Sequence, residues 1–295
     1  MNESGSTSGP PKSILLATDL SARCDRALDR AVSLSQLWQA KLVVLNVLES
    51  RSFLDTPTIV PSWRRPPDLT SVAETQLLAD IGPVAKKADV VIEEGDPAEA
   101  IVRVTEVRRC DLIITGIARD ELLGRFTLGT TVDRLLRNAR APVLVVKNRA
   151  RLPYRHVAVA TDFSETSRHA LEAALQCFPE QALTILHAYD PPITPFMTEP
   201  EVYRREYQQI AEQEYESFLA SMKSGAAIKR RARAFIEFGT PAHVLREGVR
   251  DLGIDLVVMG TRGRSAISEL LIGSVAKQIM AELPCDALVI RGPSA

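Results

Sequence analysis

Four residues near the end of the chain have the types and spacing to hold an anion with backbone amides. Gly260, Gly263, Gly273 and Ser274 form the pattern G-x2-G-x9-G-S. Glycine tolerates positive φ and lets the main chain approach a ligand closely, so successive N–H groups can face a negative charge. Gly273 and Ser274 precede a run, residues 275–280, that reads as the start of a helix. There the dipole and the free N–H groups favour an anion. The chemistry is that of a triphosphate cradle. Glycines also serve tight turns and helix caps, but a motif that follows a buried strand and precedes a helix favours the phosphate role. A second chemical feature is Asp162 in Thr161-Asp162-Phe163-Ser164. An Asp there can cap the helix that follows or accept hydrogen bonds from a ribose or base. The residues alone favour the cap, because Asp and Ser clusters are common turn chemistry.

Dedicated catalytic machinery is not visible in the sequence. There is no G-x4-G-K-[ST], and no Gly-Lys pair at all, which excludes a P-loop NTPase. G-x-G-x-x-G and G-x-S-x-G are also missing. His156, His169, His187 and His243 are not spaced as metal ligands, and His187 reads as a hydrogen-bonded structural histidine. Cys24, Cys110, Cys177 and Cys285 form no CxxC pair, so neither a zinc site nor a disulfide framework is supported. They read as small packing residues. No catalytic residue and no metal ligand is assigned.

The elements that must position the glycines come from a repeat. Residues 12–21 reappear as residues 155–164, Gly95-Asp-Pro97 as Gly239-Thr-Pro241, and residues 111–116 as 255–260, with an offset between 141 and 144. A period this long is a duplicated domain, and 295 residues suffice for two cores. The expected limits are a disordered Ser/Gly/Pro-rich tail over 1–11, a first domain over 12–149 and a second over 153–292. Residues 14–17, 42–47, 89–93, 112–115 and 143–146 are nearly continuous apolar runs, as in strands buried on both faces of a parallel sheet. Amphipathic segments at 26–38, 98–108 and 131–138 alternate with them, which implies βαβ crossovers in an open α/β sheet. Ligands bind such sheets outside the carboxyl ends of the strands.

The two copies differ at the cradle. The first reads Gly116-Ile-Ala-Arg119 and then Gly129-Thr130, so the second glycine has become Arg119. An Arg there is strained if the position needs positive φ, and it crowds the phosphate path. A guanidinium can also donate to phosphate, so the substitution weakens the case for binding without closing it. Asp19 is the first-copy counterpart of Asp162.

At these residues the chain resembles a tandem universal stress protein of the UspA-like family, within the HUP-type superfamily of adenine-nucleotide-binding α/β domains. The resemblance runs from about residue 11 to residue 292. It rests on the glycine signature, the strand-one Ala-Thr-Asp-x-Ser, the Gly-x-Pro before the third helix, and Leu283-Pro284-Cys285. It implies two Rossmann-like domains, each a five-stranded parallel sheet of order 3-2-1-4-5, paired with internal pseudo-twofold symmetry as single-domain members pair in dimers. It also implies that Asp162 contacts adenine or ribose, that the backbone near Leu183 meets the adenine edge, and that Gly260, Gly263, Gly273 and Ser274 hold the phosphates of ATP or ADP with Mg²⁺. Asp19, Gly116, Gly129 and Thr130 match in the first copy, and Arg119 makes that site degenerate.

The function expected on this reading is regulatory: a cytoplasmic, stress-response protein that binds adenine nucleotide mainly in its second domain. Homo-oligomers and a regulatory protein partner stay open. A nucleotide-independent interaction scaffold and a slow ATPase are the alternatives. The balance of 36 Lys+Arg against 37 Asp+Glu gives a net charge of −1, which argues against nucleic acid as a partner. No apolar run approaches the ~18–20 residues that cross a bilayer. The Pro-rich stretch 56–67 reads as packing or as a lid. A helix expected over 201–223 presents Tyr203, Tyr207, Ile210, Phe218 and Met222 as a packing face. The basic run 229–233 reads as a solvated loop or the approach to a strand.

Overall fold

The computed structural model describes residues 9–21, 24–48, 68–82, 87–120, 125–190, 200–261 and 273–292. Gly263, the Pro-rich stretch 56–67 and most of the N-terminal tail lie outside the described residues. The described chain falls into two compact units. Of the described residues, those within 11–118 and 129–151 form one, and residues 9–10, 119–120, 125–128 and those within 152–292 form the other.

In the first copy the elements run β1 (Ser13–Thr18), α1 (Asp25–Trp38), β2 (Lys41–Leu48), α2 (Leu69–Ile81), β3 (Ala88–Glu94), α3 (Pro97–Arg108), β4 (Leu112–Gly116), a hairpin of β5 (Ala118–Asp120) and β6 (Arg125–Thr127), α4 (Thr130–Asn138) and β7 (Val143–Val146). The second copy follows with β8 (His156–Ala160), α5 (Glu165–Cys177), β9 (Ala182–Tyr189), α6 (Pro200–Ala220), α7 (Gly225–Arg231), β10 (Ala232–Phe238), α8 (Pro241–Leu252), β11 (Leu256–Gly260), α9 (Ser274–Glu282) and β12 (Asp286–Ile290).

The main-sheet pairings within each copy are parallel. They give the run β3-β2-β1-β4-β7 in the first and β10-β9-β8-β11-β12 in the second. Successive residues Ile14, Leu15 and Leu16 are each 0% exposed, so helices cover both faces of the sheet. That double cover is why the strands read as unbroken apolar runs. The chain direction of travel reverses between β1 and β4, and between β8 and β11, which opens a crevice at the carboxyl ends of those strands.

Two local devices recur in both copies and account for matched residues. Asp111 Oδ2 accepts the amides of Lys12 (2.8 Å) and Ser13 (3.0 Å), and Asp255 accepts those of Arg155 (2.8 Å) and His156 (3.2 Å). Each Asp thereby ties the start of one central strand to its neighbour. In Gly-x-Pro, Gly95 has φ 126° and Gly239 φ 138°. Asp96 or Thr240 then stands at the helix N-cap with Pro at the first helical position, where its missing N–H costs nothing.

Three sequence expectations need correction. Of the basic run, Lys229 to Arg231 form the last turn of α7 rather than a loop, while residues 232 and 233 enter β10 as the approach to a strand implied; Lys229 Nζ reaches Glu216 at 2.6 Å and Arg231 donates to the Phe178 carbonyl. Ile210 is 50% exposed, because the buried face of α6 runs through Ala211, Tyr215, Phe218 and Leu219, with Met222 just beyond it. The β5–β6 hairpin is an addition to the expected five strands.

Candidate functional site

The site is built where β8 and β11 end side by side. Past β8, the Thr161 amide still reaches the Leu186 carbonyl at 3.0 Å, and the chain then turns sharply. Phe163 has φ 63° and its first-copy counterpart Leu20 has φ 59°, a region non-glycine residues rarely enter. The flanking residues hold it there. Thr161 Oγ1 accepts the Phe163 amide (3.0 Å) and Asp162 Oδ1 the Ser164 amide (3.1 Å). Thr18 and Asp19 do the same for Leu20 (3.1 Å) and Ser21 (2.9 Å). Thr-Asp-x-Ser is therefore a clamp around one left-handed residue. Ser164, not Asp162, caps α5, accepting the Ser167 amide at 3.3 Å. Asp162 Oδ1 additionally accepts Ser167 Oγ at 2.7 Å.

In the first copy burial raises the Asp19 pKa, but hydrogen bonds from the Ser21 hydroxyl, the Cys24 thiol and the Ser21 amide outweigh it, and the carboxyl is held below its ordinary range.

The strand beside this turn is pinned to it. His187 Nδ1 lies 2.8 Å from the Thr161 carbonyl oxygen. A carbonyl only accepts, so Nδ1 carries the proton. Asn46 plays the same part in the first copy, its Nδ2 donating to Thr18 O at 3.0 Å. The Phe163 ring stacks on His187 with centroids 4.1 Å apart and continues into Phe218 and Tyr215. The structural role expected for His187 is what these bonds describe.

Past β11 the residues are arranged differently from the simplest reading of the glycines. Neither Gly260 nor Gly273 has positive φ. Gly260 is required by close approach instead: a Cβ there would lie 2.6 Å from Thr166 Cγ2 at the start of α5. Gly273 is the N-cap of α9 with φ −58°, and a Cβ on it would meet nothing nearer than Thr261 O at 3.8 Å. Among the described residues nothing demands glycine at 273. As a glycine it offers no side-chain cap to the first-turn amides of α9, which begin at exposed Ser274.

Thr261 went unnoticed in the sequence. It is 4% exposed, its carbonyl accepts the Gly273 amide at 3.1 Å, and its Oγ1 has no hydrogen-bond partner among the described residues. An unpaired buried hydroxyl is costly. The matching first-copy residue is buried Ile117.

Asp162, Gly260, Gly273 and Ser274 thus share one sheet edge. Leu183 does not join them: it pairs with Val157 at the amino end of β9 and is 4% exposed. The part of β9 that reaches the carboxyl edge is His187 to Tyr189, because the strand runs through Leu183 into the sheet before emerging there. In the first copy Asp19, Gly116, Gly129 and Thr130 follow the corresponding strand ends and helix start, with Gly129 as the α4 N-cap. Arg119 falls in β5, and its side chain lies outside the described part of the chain. No group of three or more His, Cys, Asp or Glu among the described residues is placed to hold a metal ion. None of the described helices is long and apolar enough to cross a membrane.

The family model for the universal stress protein family matches twice, over residues 11–147 and 153–291. The chain belongs to the universal stress protein family. It is similar to the universal stress protein YxiE of Bacillus subtilis, at 30% identity over 147 residues that cover 47% of this chain and 99% of that protein. A universal stress protein of Methanocaldococcus jannaschii is also 30% identical, over 46% of this chain and 82% of its own length. Each of these spans about one copy. Among solved structures, a universal stress protein from Archaeoglobus fulgidus superposes over 96% of this chain and 97% of its own, with TM-score 0.63 and 19% identity. That likeness carries the tandem universal stress protein fold.

Proposed function

We propose that the second copy binds an adenine nucleotide, ATP or ADP, and that occupancy sets a state of the protein which a regulatory partner reads in the cytoplasm. One observation carries the reading. Among the described residues, the start of α9 has no side-chain cap, Gly273 has no near neighbour and the buried hydroxyl of Thr261 has no partner, and all three lie just past β11. The phosphates would lie on the α9 amides, with Mg²⁺ carried in on them, and Gly263 would supply the remaining turn. The base and ribose would lie beside Asp162 and the β9 carboxyl end near His187. Ile117 and Arg119, in place of Thr261 and Gly263, make the first copy the weaker site. A bound triphosphate and its Mg²⁺ supply part of the stabilisation that hydrolysis needs, so slow turnover is compatible with this site.

The experiment is acid extraction of the purified full chain with chromatography of the released nucleotide, followed by calorimetric titration with ATP and Mg²⁺. A single nucleotide per chain is expected. Two equal sites per chain would overturn the asymmetry. No nucleotide and no heat of binding would leave a scaffold that works without one.

A further inference from the structure

The second unit has an open strand edge that the nucleotide site does not use. β10 pairs with β9 on one side, and no described strand lies on its other side. None of its residues is fully buried. Between this edge and α6 lies a groove of about 960 Å³. Ala234, Phe235, Ile236 and Glu237 all line it. Successive strand residues point to opposite faces, so a groove lined by four in a row follows the edge itself. An edge strand presents unpaired N–H and C=O groups there.

The groove has an apolar base and an acidic rim. Tyr215 is buried, Phe235 and Ile236 are half-buried, and Glu212, Glu216 and Glu237 are exposed. Glu216 is met by Lys229 at 2.6 Å. Glu212 accepts from the neutral Gln208 amide at 3.0 Å, and neither it nor Glu237 makes an ion pair among the described residues. Burial first, and then the charges of Glu237 and Glu212, push the Tyr189 phenol up against the opposing effect of Arg204, so both carboxylates act on the same spot. Arg204 is itself engaged, lying over the Phe238 ring and 3.2 Å from Glu201. The one cation on the strand, Arg233, lies over Phe235.

We propose that this edge receives an extended, Lys- or Arg-bearing segment of another protein as an added strand along β10. Main-chain hydrogen bonds supply the alignment, and basic side chains on the segment answer Glu212 and Glu237. A second copy of this chain is the poorer occupant, since it would set the same carboxylates against themselves.

The test uses the full chain and a blocked peptide of alternating Lys and Val, with an alternating Glu and Val peptide beside it. The basic peptide is expected to bind and to slow hydrogen exchange at residues 234–237, while the acidic one does not bind. E212Q combined with E237Q should weaken binding about tenfold and leave ATP affinity unchanged. N-methylation of alternate peptide amides should abolish it. The proposal is overturned if the basic peptide does not bind, if it binds the double variant equally, or if the N-methylated form binds as well. Concentration-dependent self-association that protects the same amides without peptide would assign the edge to a second copy and overturn it too.

Discussion

At position 260 a methyl group would sit 2.6 Å from Thr166 Cγ2 and 3.2 Å from its Cβ. Gly260→Ala should therefore cost about 1–3 kcal/mol in urea unfolding, and Thr166→Ala in the same chain should recover part of it, a coupling that a double-mutant cycle measures. Thr261→Val separates two properties that usually move together. With the unpaired hydroxyl gone, the nucleotide-free protein should be as stable as the parent or up to about 1–2 kcal/mol more so. ATP affinity should fall by up to about tenfold, because the lost hydroxyl would have found its partner in the ligand. A Thr261→Val variant that binds like the parent would remove Thr261 from the site. Asp19 carries a pH signature. Its folded-state pKa is depressed, so its contribution is present above the unfolded value of about 3.9 and disappears as pH falls through the lower folded value. Asp19→Asn should flatten the stability profile in that acidic window. Burial pushes the Cys177 thiol up to about 12, and burial with the Asp19 carboxylate brings Cys24 to about 11. Alkylation of both at neutral pH should be slow in the native protein and fast in denaturant.

The Thr-Asp-x-Ser clamp and the Gly-x-Pro helix start set the geometry between residue and fold. Removing the α5 cap by Ser164→Ala should cost about 1 kcal/mol. Gly239→Ala forces a side chain to φ 138° and should cost about 1–3 kcal/mol, both read by urea denaturation. The sequence announced these elements because each is a local rule repeated twice, and the strands announced themselves through continuous burial. What it hid was relational. Leu20 and Phe163 are poor left-handed residues, so nothing in their type betrays the turn that their neighbours impose. An apolar run does not mark which of its residues reaches the carboxyl edge of the sheet: Leu183 lies near the amino end of β9 and His187 near the other. Thr261 opposite Ile117 was open to inspection, but a signature counted in glycines passes over it. The α7 helix, only Gly225–Arg231, is too short for periodicity to declare.

At the scale of the molecule, the proposed site would let a chain of net charge −1 hold a polyanion through neutral backbone amides, where long-range charge says little about binding. Nucleotide at about 100 times its Kd should stabilise the full chain by about 2.7 kcal/mol. G263R should erase the rise in Tm that follows, while changing Arg119 should leave it intact; a rise unaffected by G263R would place the ligand elsewhere. The partition of the chain has a practical consequence for anyone dividing it. Residues 119–120 and 125–128 belong by sequence to the first repeat and by backbone contacts to the unit of the second. Gene duplication drew one border, and folding drew another. A fragment cut at the repeat boundary would part these residues from the unit whose backbone they contact.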